Sequence, residues 1–195
     1  MAPCDPLSEA EIRVALRSWL AAAHAAEHDT VVLEELGLCR GQARIDLAVV
    51  NGLLHGYEIK SARDCLRRLG GQVELYSRVV DQATLVVADR HLTGAMRILP
   101  PWWGVLRFVV TCRGPRFRTV QRAGTNPARD PRALAELLWL EDALALLESR
   151  LVARGVRGKP RWMVWDRVCA HYGVDEIASA VRASLKVRKE MPDSP

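Results

Sequence analysis

Asp46, Glu58 and Lys60 are the residues whose types and spacing could do chemistry. They lie in the stretch ARIDLAVVNGLLHGYEIKS. Asp46 sits within one apolar, β-branched run, and Glu58 and Lys60 sit in the next. Between the runs, Asn51-Gly52 is a hairpin turn signal. With one apolar residue between them, Glu58 and Lys60 share a strand face. Charges in strands this apolar are costly to bury unless they are paired or bound to a metal. Two converging carboxylates are what a hard cation such as Mg²⁺, or Mn²⁺, requires. A lysine beside them can orient a water or stabilise charge on a phosphate. A Glu-x-Lys alone reads more simply as an edge-strand salt bridge; the strand–hairpin–strand setting with Asp46 favours the metal reading.

That chemistry dictates the hairpin register. A two-residue turn at Asn51-Gly52 would pair Asp46 with Tyr57 and send Asp46 to the face opposite Glu58 and Lys60, because a one-residue shift flips every side chain. The site requires Val50 opposite Leu54 and Asp46 opposite Glu58, with Asn51, Gly52 and Leu53 as a three-residue loop. Asn51 or Gly52 would supply the positive φ such loops commonly use. The same register gathers Ile45, Leu47, Val49, Tyr57 and Ile59 on one face as core.

The elements that must hold these residues follow from periodicity. Ser8 to about His28 reads as a helix, opened by a capping box of Ser8 and Glu11 and carrying Ile12, Leu16, Trp19 and Leu20 at helical spacing. TVVLEELGL, ARIDLAVV and LLHGYEIKS read as three strands. A helix is expected over Ala62 to Asp81, then strands at TLVVA and WGVLRFVV. The turn-rich segment QRAGTNPARDP marks a boundary between residues 1–125 and a basic helical part over 126–195. Helices are expected at Pro131 to Arg150, Trp162 to His171 and Val174 to Lys189. The fold class is α/β.

Composition limits the alternatives. The chain has 195 residues, 49% of them hydrophobic, with a net charge of +5. That is enough for a packed core, yet no apolar run approaches the ~20 residues of a membrane span. The start of the chain carries two early acids and no basic segment before an apolar run, so no signal peptide is read and a cytoplasmic location is expected. The five cysteines are odd in number and widely spaced, which argues against a disulfide framework or thiolate zinc site. From Leu151 onward there are nine Lys or Arg against five Asp or Glu. This excess fits a polyanion or a solvated helical face equally well.

The order helix, three strands, helix, strand, together with Asp46 and the run Glu58-Ile59-Lys60, resembles the PD-(D/E)XK nuclease superfamily and its αβββαβ core. Ile45 stands where the superfamily name has proline. Gln72 and Tyr76 match the Q-x-x-x-Y pattern of its RecB and λ-exonuclease branch; four apart, they share a helical face. The phrases GQARIDLAVVNG, GYEIKS, PWWGV and RGKPR resemble a group of bacterial and phage-associated members of this superfamily along nearly the whole chain. The resemblance implies a restriction-endonuclease-like core over 1–125, a mixed sheet flanked by helices, and a helical subdomain over 126–195. It further implies a nuclease acting on nucleic acid, DNA being expected, with Mg²⁺ or Mn²⁺ held by Asp46, Glu58 and the carbonyl of Ile59. Lys60, Gln72 and Tyr76 would serve catalysis.

Glu34 and Glu35 are adjacent and so face opposite ways, and periodicity does not choose between them as a further ligand; the resemblance favours Glu35. Glu11 reads either as a further ligand or as the capping-box acid, and the Ser8 pattern favours the cap. Arg157, Lys159 and Arg161, in the basic loop RGVRGKPR, are candidates for phosphate contacts.

Two other readings compete. A nuclease fold could bind nucleic acid without cutting it. His24-Ala25-Ala26-Glu27-His28 also spells the inverted zinc-peptidase motif, which needs both histidines on one helix face and a third ligand elsewhere.

Overall fold

The computed structural model describes residues 7–111 and 114–190, the last two by backbone alone. Helix α1 (Glu9–Ala23) starts where the capping box places it, with the Ser8 side chain and the Glu11 carboxylate each serving the other's backbone N–H. It buries Ile12, Leu16 and Leu20. It stops at Ala23 rather than His28. No residue from 24 to 29 is buried, so packing gives the helix no reason to continue. Glu27 instead accepts hydrogen bonds from Thr30 and Asn51, tying the turn to the sheet.

Six strands follow: β1 (Val31–Leu38), β2 (Ala43–Val50), β3 (Leu54–Lys60), β4 (Gln82–Ala88), β5 (Gly104–Thr111) and β6 (Gly114–Gln121). They form one mixed sheet in sequence order. The β1–β2, β2–β3 and β5–β6 pairs are antiparallel, and β3–β4 and β4–β5 are parallel. The parallel steps need crossovers. Helices α2 (Leu69–Ser77) and α3 (Asp89–Met96) lie in them. Four more helices complete the chain: α4 (Pro131–Ala135), α5 (Leu140–Ser149), α6 (Arg161–His171) and α7 (Val174–Glu190).

The sheet separates two apolar clusters. On one face α1 meets Leu47, Val49, Tyr57, Ile59, Val86 and Phe108. On the other, Ala48, Val50, Leu54, Val80, Leu85 and Val87 join Leu69, Val73 and Tyr76 of α2 and the C-terminal helices. The second cluster runs unbroken across the 125/126 boundary. Buried Asp81 adds a polar tie there, accepting from Leu54 N–H, Arg129 and Arg182. The chain is a mixed α/β protein, and among the described residues no helix is long and apolar enough to cross a membrane.

Several expected elements differ. The helix expected over 62–81 is only α2, because Ser61–Arg68 forms a loop in which the Asp64 carboxylate accepts the Ser61 N–H. The helix expected from Pro131 to Arg150 breaks into α4 and α5. Leu137 and Leu138 stay buried through the break, so the apolar pattern persists where the helix does not. Strand β6 and helix α3 were not anticipated. The sequence of β6, GPRFRTVQ, is an exposed and cationic edge, as edge strands often are, and lacks the apolar alternation that marks a strand. Cys39, Cys65 and Cys169 are free thiols; Cys4 and Cys112 lie outside the described residues.

Candidate active site

The β2–β3 hairpin has the odd register the chemistry requires. Val50 pairs with Leu54, and the ladder runs through Val49–His55 and Ala48–Gly56 to Leu47–Tyr57, where it stops. Asn51, Gly52 and Leu53 form the loop. No loop residue takes a positive φ. Instead the Asn51 side-chain oxygen accepts the Leu53 N–H at 3.0 Å, which closes the turn without a left-handed residue.

Beyond Leu47–Tyr57 the strands part, and Asp46 fills the gap. Its Oδ2 accepts the Ile59 N–H at 2.7 Å. Opposite, β1 carries a left-handed residue, Glu35, at φ 56°. The β1–β2 ladder passes from Glu34–Leu47 to Leu36–Ile45, leaving Glu35 and Asp46 unbridged. Alternation is interrupted in both strands at that point. Ile45, expected beside Leu47, therefore lies in the cluster on the opposite face. The irregularity aims Glu35 and Asp46 into a cleft.

Glu58 is 2% exposed and accepts three hydrogen bonds. Its Oε1 accepts from Lys60 and, at 2.6 Å, from Gln72; its Oε2 accepts from Tyr76 at 2.5 Å. The Tyr76 hydroxyl also lies 2.8 Å from the Arg44 carbonyl. It has one proton for two acceptors, and the charged one makes the stronger bond. Burial, and then the Glu58 charge, hold the phenol well above its ordinary pKa. Gln72 and Tyr76 thus converge on the site through Glu58, one helical turn apart on α2.

Asp46 is the strained member. Burial and the neighbouring Glu58 charge push its pKa up to about 7, against the help of the Ile59 N–H. Two carboxylates crowded in this way are the electrostatic situation a cation relieves. Asp46 Oδ1 lies 3.8 Å from the Arg13 guanidinium. A carboxylate offers about four lone-pair sites, and Glu58 uses three. The N–H and C=O of an extended residue point to the same edge, so the Ile59 carbonyl faces the gap occupied by Asp46. These three groups fit a Mg²⁺-like ion completed by water. Among the described residues no group of three or more His, Cys, Asp or Glu side chains is arranged to hold a metal. Glu35 lines the cleft but is ion-paired to Arg13 and Arg44. Glu34 points away to Arg17 on α1, and Glu11 is the cap.

The cleft has a volume of about 730 Å³ and brings together Glu35, Asp46, Glu58, Lys60 and Gln72. Arg13, Arg44, Arg67 and Arg68 also line it and were not anticipated. Arg67 and Arg68 are exposed and have no ion-pair partner among the described residues. The available signal was their adjacency just ahead of the Q-x-x-x-Y helix. Arg13 gave none beyond its place one turn after Glu9.

Arg157, Lys159 and Arg161 are not in this cleft. They sit in and just after the α5–α6 loop, where Arg157 pairs with Glu148 at 2.8 Å. If the loop contacts nucleic acid, replacing all three by glutamine should flatten the salt dependence of binding. Each lost phosphate contact should lower the slope of log K against log salt by about 0.7–0.9. An unchanged slope would leave the loop a solvated surface.

The zinc-peptidase motif loses its premise. His24 caps the end of α1 and His28 lies beyond it, so the two do not share a helix face. Hydrogen bonds from Thr30, His24 and Asn51 also hold Glu27 below the usual carboxylate pKa, the wrong direction for a general base.

The fold and site define a mixed α/β protein with a buried carboxylate–lysine cleft where two antiparallel strands part. The chain belongs to the family described as Bacteriophage P4 protein cII, whose model matches residues 3–193. It is 30% identical over 116 residues to "Protein cII" of Enterobacteria phage P4, a match covering 60% of this chain and 44% of that relative. The chain thus matches less than half the length of this relative. No solved structure matches it.

Proposed function

We propose that this protein is a metal-dependent nuclease of the PD-(D/E)XK type, hydrolysing phosphodiester bonds of DNA. The observation that carries the reading is the Glu58 network. The carboxylate of the expected Glu-x-Lys run receives Lys60, Gln72 and Tyr76 at once, beside an Asp46 pushed toward neutrality. The order α1, β1–β3, α2, β4 matches the αβββαβ core and supports the same reading.

Asp46, Glu58 and the Ile59 carbonyl would hold Mg²⁺ or Mn²⁺. When bound, the ion supplies Lewis-acid chemistry: it polarises the scissile phosphate and acidifies water. The chain's own groups divide the remaining work. With Glu58 partly neutralised, the Lys60 ammonium can turn from it toward phosphate or the attacking water. Gln72 and Tyr76 keep Glu58 in place. The Gln72 amide oxygen is buried without a partner among the described residues and can accept from that water. Arg67 and Arg68, on the cleft rim, can hold backbone phosphates.

The test is to incubate the purified chain with circular, linear and single-stranded DNA and with RNA, in Mg²⁺, in Mn²⁺ and in EDTA. Metal-dependent cleavage of DNA is the expected result. Binding without cleavage of any substrate would support a non-catalytic nucleic-acid-binding protein of the same fold.

A further inference from the structure

A second groove lies across the β1–β2 turn from the carboxylate cleft. Arg40 faces the groove, while Gly41 to Arg44 face the cleft. The groove has a volume of about 540 Å³ and is lined by Trp139, Trp162 and Trp165 together with Arg40, Arg161 and Arg188. Trp139 and Trp162 are 56% and 54% exposed. Leaving that much indole surface in water is unfavourable for a side chain with no partner to meet.

Two of the three rings are held by guanidinium groups. The Arg188 guanidinium stacks on Trp139 at 4.3 Å and is itself fixed by the Leu137 carbonyl and Asp142. Arg132 lies over Trp165 at 5.4 Å. The charge around the rings is one-sided. Arg40 and Arg161 are exposed, with no carboxylate partner among the described residues. Glu136, the acidic residue lining the groove, is taken by Arg132. Exposed aromatic faces flanked by free guanidinium groups suit unstacked bases joined by phosphates. A duplex keeps its base faces stacked inside and offers nothing to these rings.

We propose that this groove binds a single-stranded segment of nucleic acid, with bases stacking on Trp139 and Trp162 and phosphates held by Arg40 and Arg161. Its place in the protein's action rests on the nuclease reading: a strand leaving the cleft past Arg44 meets Arg40 across one turn. The binding itself needs no cleavage.

The test uses the full chain in EDTA, so that nothing is cut, with a fluorescent single-stranded oligonucleotide and the blunt duplex of the same sequence. Wild type should prefer the single strand. Trp139→Leu combined with Trp162→Leu should weaken single-strand binding by roughly ten- to a hundred-fold, leaving duplex binding unchanged. Arg40→Gln and Arg161→Gln should each lower the single-strand salt slope by about 0.7. All four side chains are exposed, and an unchanged melting temperature would confirm an intact fold. Undiminished single-strand binding by the double tryptophan variant, or an equal loss on duplex, would overturn the proposal. It can fail while metal-dependent cleavage persists, and it can hold in a chain that cuts nothing.

Discussion

Replacing Asp46 with asparagine, or Lys60 with alanine, is expected to lower metal-dependent DNA cleavage by on the order of a hundred- to a thousand-fold, the scale of losing one group that stabilises charge in the transition state. Asp46→Asn should leave the fold intact, while Lys60→Ala also breaks a buried ion pair and should lower stability, though less than loss of Glu58. Asparagine can still accept the Ile59 N–H that Asp46 accepts now. Without Lys60, Glu58 keeps its bonds from Gln72 and Tyr76. Asp46→Asn should also change how stability depends on pH. The folded state raises the Asp46 pKa from 3.8 to about 7, so it holds that proton more tightly than the unfolded chain does. The contribution is complete below about pH 4 and is lost as pH rises through 7. Metal-free wild type should therefore melt at progressively lower temperature between these limits relative to Asp46→Asn. Melting curves recorded on both proteins from pH 4 to pH 8 would check this; parallel profiles would contradict the burial and crowding assigned to Asp46.

Glu58→Ala should be the most damaging single change to the fold. It leaves the Lys60 ammonium, 6% exposed, without its carboxylate, and it strands the Gln72 amide and the Tyr76 hydroxyl. Breaking a buried ion pair from one side typically costs about 3–5 kcal/mol. Glu58→Gln should cost much less, because the amide oxygen can still accept from Tyr76 or Lys60, while abolishing cleavage as fully. The contrast separates the structural part of Glu58 from the chemical one. Urea unfolding of both variants measures it, and equal stabilities would mean that the network contributes nothing to the fold.

The hairpin geometry of the candidate site was legible because its demands are local. A Glu-x-Lys spacing fixes a strand face, and placing Asp46 on that face fixes the parity of a hairpin only a few residues long. That Gln72 and Tyr76 belong to the same site came from resemblance, with helical spacing to support it; their hydrogen bonds to Glu58 come from the structure. The breaks in regularity were not legible. Nothing in TVVLEELGL announces a left-handed Glu35, yet that residue and the parting of β2 from β3 move Ile45 to the other face. The split of α4 from α5 was hidden for a related reason: burial of Leu137 and Leu138 continues the helical pattern through residues that are not helical. Strand β6 and the cleft residues Arg44, Arg67 and Arg68 escaped because exposed cationic residues carry no periodic signal. The Trp139–Trp162 groove joins elements far apart in the chain, so only the tertiary arrangement brings it together.

The measurement that bears most directly on the central claim needs no substrate. Titration of the purified chain with Mn²⁺, followed by the paramagnetic resonance of the free ion, counts bound metal at neutral to mildly alkaline pH. The account predicts one or two ions bound to wild type, lost in Asp46→Asn and in Glu58→Gln, and retained in Trp139→Leu. Wild type that binds no Mn²⁺, or variants at Asp46 and Glu58 that bind as much as wild type, would contradict it.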